Sequence, residues 1–135
     1  MLSSSSWVAG QDEDTVNESE NVITRIALGS CADQKHSQPI WKSIVAQRPE
    51  LFLFLGDNVY ADTEDEEEMR TAYRLLGEKE GYQNLLETCP VLAVWDDHDY
   101  GVNDGGAEFP FREGAERLFH EFFATPEDSD SRKRP

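Results

Sequence analysis

Three apolar runs set the rhythm of the chain, each followed by a polar stretch that opens on small or acidic residues. Val22, Ile23, Ile26, Ala27 and Leu28 predict a first strand, interrupted by Thr24 and Arg25 and ending at Gly29-Ser30-Cys31. Leu51-Phe52-Leu53-Phe54-Leu55 is apolar without a break, the pattern of a strand buried on both faces of a helix-covered sheet. Val91 to Trp95, behind Pro90, predicts a third buried strand.

Between and after these runs the apolar positions recur at helical spacing. Ile40, Trp41, Ile44 and Val45 share one face of a helix with Ser37 as N-cap and Pro39 in its first turn. Thr63 and Glu66 have the spacing of a capping box for a helix that turns Met69, Ala72, Tyr73 and Leu76 inward and ends at Gly77. A further helix over 81–88 buries Tyr82, Leu85 and Leu86, and a last one over 114–123 offers Ala115, Leu118, Phe119, Phe122 and Phe123 for packing. The order strand, helix, strand, helices, strand, helix predicts an α/β fold, a mostly parallel sheet flanked by helices. Residues 1–20 are polar and acidic and are read as a disordered leader; 21–123 form the domain, and 124–135 are a polar tail.

Composition narrows the function. With 28 acidic and 12 basic residues the net charge is −16, which argues against nucleic-acid or anionic-membrane binding through bulk electrostatics. Much of the charge sits in 11–20 and 64–68, where solvated segments are the simplest reading. No apolar run approaches transmembrane length, and residues 1–10 lack the basic start and long apolar core of a secretory signal, so localisation is left open. Two cysteines, Cys31 and Cys89, make no disulfide framework, although one bridge is compatible with them.

The chemistry gathers where the strands stop. Cys31, Asp57 and Asp97 each lie just past a strand's carboxyl end, the edge at which open α/β sheets bind ligands. Asp96-Asp97-His98-Asp99 places three carboxylates and an imidazole together, an arrangement that calls for a cation or a shared proton. In an extended continuation, either Asp97 with Asp99 or Asp96 with His98 would share a side. Tyr60 could ligate a hard ion, Asp57 could bridge two ions, and a Cys31 thiolate would favour a transition metal. His98 could bind metal, donate to an oxyanion or protonate a leaving group. Asp62 reads as a turn or helix-start residue, and His36, Cys89 and His120 as structural or surface residues. An EF-hand calcium loop fails on register, because starting at Asp97 puts Val102 where glycine is required.

Taken together, Gly29-Ser30-Cys31, Phe54 to Asp62 and Trp95 to Asp104 resemble the PhoD-like (alkaline phosphatase D) metallophosphatases, within the calcineurin-like phosphoesterases. The resemblance spans 24–123 and implies half of an αββα sandwich, with iron(III) and calcium as cofactors. It implies that Cys31 and Tyr60 ligate iron, that Asp57 bridges the two ions, and that Asp97 holds calcium. His98 would face the phosphate of a phosphoester substrate, and Asn103 could touch it. The family completes its site with Asp and His ligands and a second sheet from a long C-terminal portion. This chain is therefore expected to be the N-terminal part of such an enzyme, needing that portion for a full site. The competing expectation is a truncated, non-catalytic metal-binding or interaction protein.

Overall fold

A computed structural model describes residues 22–133, so the acidic leader lies outside the described residues. Three parallel strands, β1 (Ile26–Gly29), β2 (Leu51–Leu55) and β3 (Val91–Val94), form one sheet in that order. Ile26 pairs with Leu51, and Leu53 with both Leu28 and Leu92. Helices α1 (Ile40–Ala46), α2 (Glu66–Gly77), α3 (Glu80–Thr88), a one-turn α4 (Asp97–Tyr100) and α5 (Arg112–Phe122) connect and follow them. The expected α/β architecture with a parallel sheet is therefore present.

Strand pleating sorts the side chains. Phe52 and Phe54 point into the core, where Trp41 of α1, Tyr82 of α3 and Phe123 after α5 surround them with ring centroids 4.9–6.1 Å apart. Met69, Ala72, Tyr73 and Leu76 of α2 are buried, as their spacing predicts. The other face corrects the expectation of a sheet buried on both sides. Ile26, Leu28, Leu55, Leu92 and Val94 are 50–59% exposed, because the buried side chains of the helices gather on the Phe52–Phe54 face. An unbroken apolar run marks a strand with two apolar faces, but it does not say that both are covered within the same chain.

Local starts and stops differ from the pattern in four places. Val22 and Ile23 lie outside β1 and are exposed; the chain there is held instead by the Glu50 carboxylate, which accepts from the Thr24 and Arg25 amides. Helix α1 is capped at Pro39 rather than Ser37, and Gln38 braces it by accepting from the Trp41 indole and donating to the Asp33 carbonyl. Helix α2 starts two residues beyond the Thr63 cap: Asp65 accepts from the Glu67 and Glu68 amides, while Thr63 accepts from Asp65 N and donates to Glu68. Leu86 faces outward, half-exposed, so α3 contributes Tyr82 and Leu85 alone. Residues 124–133 fold back: the Arg132 guanidinium donates to the Thr125 and Pro126 carbonyls, and a 3₁₀ turn spans Asp130–Lys133.

His120 is a buried member of α5, 3% exposed, set against the rings of Trp95 and Phe119. Neither ring nitrogen has a hydrogen-bond partner among the described residues; Glu116 is the nearest acid, 3.9 Å away. Burial, helped by the Arg132 charge and opposed by Glu116, lowers the imidazole pKa. The unfolded chain then takes up a proton before the folded one does, so the neutral ring costs nothing above the unfolded value of about 6.5 and destabilises as pH falls below it. Urea unfolding of the wild type and His120→Leu across this range should show the difference between them changing only on the acid side. A constant offset would refute the assignment.

Candidate metal centre

The three loops leaving β1, β2 and β3 converge because parallel strands deliver their carboxyl ends to one edge. Backbone bonds join the first two: the Cys31 amide donates to the Gly56 carbonyl, and Ala32 to that of Asp57, at 3.3 and 2.9 Å. Gly56 turns the chain with φ +102°, and a Cβ there would come 2.6 Å from the Cβ of Asp96. Only glycine lets the β2 and β3 loops approach this closely. Cys31, Asp57, Asp62 and Asp104 also hold left-handed φ angles of 51–58°, so the loops are bent where the chemistry lies.

Asp57 is the hub. Its Oδ2 accepts from the Tyr60 hydroxyl at 2.9 Å and from the Cys31 thiol at 3.5 Å, while its Oδ1 is buried with no partner among the described residues. An orphaned carboxylate oxygen is costly unless something else satisfies it. Burial, then the hydrogen bonds with Cys31 and Asp57, then the charges of Asp57 and Cys31 all raise the Tyr60 pKa, so the phenol stays protonated without a cation. Carboxylate oxygens of Asp57 and Asp97 and a ring nitrogen of His98 all lie within 4.8 Å of one another. Cys31 and Cys89 are both free thiols, Cys31 exposed and Cys89 buried.

Asp97 and His98 do not continue the strand. They form α4, so the alternation expected of an extended segment gives way to a helical turn capped by Asp96. The Asp96 carboxylate accepts from Asp97 N, and Asp99 reaches back to Asp96 N. Asp97 receives the Asp104 amide and, on Oδ1, the amide of His98. The Asp104 amide lowers its pKa most, outweighing burial, and keeps it anionic. Asn103 sits exposed on the same loop with its amide donating to Asp104.

Two contributors, Asp62 and Gln34, escaped the sequence. Asp62, read there as a turn residue, lies 2.5 Å from His98 Nδ1. Burial opposes charge on His98, but the Asp62 contact and the Asp62, Asp57 and Asp97 charges prevail and raise its pKa. The ring also packs against Tyr60, centroids 4.3 Å apart. Gln34, buried, clamps the Tyr60 backbone through both ends of its amide. Asp99, 1% exposed, bridges the β2 and β3 loops. The signal for Asp62 was its place in the loop that carries Asp57 and Tyr60; Gln34 left none.

A hollow of about 660 Å³ lies at the other end of β3, lined by Tyr82, Cys89 and Phe122 among others, away from this cluster. No helix among the described residues is long and apolar enough to cross a membrane. Comparison with known family profiles, curated proteins and solved structures finds no match to this chain.

Proposed function

We propose that the carboxyl edge of this sheet binds two cations and, with them, hydrolyses phosphoesters as a PhoD-like metallophosphatase. The observation that carries the reading is the Asp57 carboxylate, with two protic side chains on Oδ2, a buried and unpartnered Oδ1, and Asp97 and His98 close by. The donor set fits the metals that the motif resemblance implies. Cys31, Tyr60 and Asp57 offer thiolate, phenolate and carboxylate to iron(III), and Asp57 with Asp97 offers hard oxygens to calcium. Bound there, such cations would activate water and offset the charge that gathers on a transferred phosphoryl group.

The chain's own residues supply the rest. Asp62 holds His98 Nδ1, which leaves Nε2 to present a proton to a phosphoryl or leaving oxygen. Asn103, exposed beside Asp97 on the loop that Asp104 ties down, offers an amide to the substrate. The fold reading extends likewise to one layer of an αββα sandwich. Its support is the aliphatic row Ile26, Leu28, Leu55, Leu92 and Val94, of a size and chemistry suited to a second sheet, since large bare apolar faces are rare on isolated domains.

The test is hydrolysis of chromogenic phosphate monoesters and diesters by metal-stripped protein, then with iron(III) and calcium restored singly and together. Activity that depends on both ions supports the reading. Bound metal without turnover on either ester class would favour a non-catalytic metal-binding protein.

A further inference from the structure

The hydrogen-bonded ladder of the sheet ends at Leu55 and Val94, before any of the candidate ligands. Asp57 and the Asp97–His98 turn therefore lie on loops whose spacing strand pairing does not set. Two buried side chains, Asp99 and Asn58, span the gap. The Asp99 carboxylate accepts the Asn58 amide N–H on both oxygens at 2.9 and 3.1 Å, the Asn58 side-chain amide at 2.9 Å, Val59 N at 3.1 Å and Asp96 N at 3.1 Å. The Asn58 side chain also donates to the Val94 carbonyl at 2.9 Å, which ties the same knot to the last residue of β3. Asn58 follows Asp57 directly, and Asp96 and Asp99 enclose Asp97 and His98.

Asp99 is not among the groups that gather around Asp57, yet its position is expensive. A carboxylate this deeply buried is tolerated only with its oxygens saturated by donors, and an apolar side chain in its place would leave those donors unpaired. What the carboxylate adds is direction, because four N–H groups from two loops must point at one centre. We infer that Asp99, with Asn58 as its partner, is a positioning residue that sets the separation of Asp57 from Asp97 and His98 for cation binding. The inference rests on the metal-centre reading above. Groups that orient ligands without touching the metal commonly govern 10–100-fold of affinity.

The experiment is a manganese(II) titration of the metal-stripped protein, followed by loss of the free-ion paramagnetic resonance signal, in the cold where circular dichroism shows every variant folded. Asp99→Asn turns an amide N–H₂ toward N–H donors and should weaken manganese binding about 10–100-fold. Asn58→Ala removes only the side-chain links, since its Oδ1 has no partner to lose, and should weaken binding in the same direction with a smaller cost in stability. It also serves if Asp99→Asn fails to fold. A purely structural Asp99 would lower the melting temperature while leaving affinity unchanged. If the wild type binds manganese and the folded variants bind it equally well, the positioning role is wrong and the metal centre stands. If the wild type binds none, both fall.

Discussion

Asp57→Asn is expected to cut phosphoester hydrolysis by a factor of about 10² or more and to weaken cation binding at least as much as loss of a ligand-orienting group does, about 10–100-fold. The substitution isolates the charge. Asn matches Asp in size and tolerates the left-handed φ of 51° that position 57 requires, so the loop has no reason to move. Its carbonyl oxygen can still accept from Tyr60 and Cys31. What disappears is the anion that both proposed ions would share, together with the acceptor that Oδ1 presents. Removing one member of an acidic cluster relieves repulsion, so thermal stability should hold or rise while metal affinity falls. The measurements are manganese(II) titration, iron and calcium content, and turnover of a chromogenic ester. A variant with wild-type affinity and turnover would remove Asp57 from the site, and the two-cation reading with it.

Phe54→Ala should produce the largest loss of stability, about 3–5 kcal/mol by analogy with other buried aromatic truncations. Phe54 is 1% exposed and its ring meets Trp41, Phe52, Tyr82 and Phe123, which come from four separate parts of the chain. No single neighbour can swing in to fill the space without abandoning its other contacts, so most of the cavity should persist. Domains of this size are stable by about 5–15 kcal/mol, and one whose sheet leaves an aliphatic face in water has less to spare. Urea unfolding followed by circular dichroism should show a lower midpoint with an unchanged slope. A loss under about 1 kcal/mol would mean that the aromatic layer is not the principal core.

These two residues lie three positions apart in sequence, on a strand and in the loop that leaves it, and the contrast between them explains what could be read in advance. Phe54 announces itself: a five-residue apolar run has few alternatives to a strand, and its alternate side chains must enter a core. Asp57 is legible for a related reason, since an acid directly after such a strand falls at the edge where parallel sheets collect polar groups. By its type and its place just before the helix over 66–77, Asp62 reads as a turn or helix-start residue. Its pairing with His98 spans 36 residues and depends on how the loops after β2 and β3 bend. His120 hides in the same way, since helical spacing places it beside Phe119 but does not say that Trp95 will cover it.

Read from the chain alone, the three strands, the inward face of α2 and the kinds of side chain that reach the strand ends are all legible. Those follow from periodicities of two and 3.6 residues and from the chemistry of neighbouring residues, which the chain carries locally. Tertiary contacts alone leave one face of the sheet bare among the described residues, start a helical turn at Asp97, set Asp62 against His98 and let Asp99 bind two loops together. Each of these depends on bonds or packing between segments brought together by the parallel register of β1, β2 and β3, and no local pattern records which partner that register will supply.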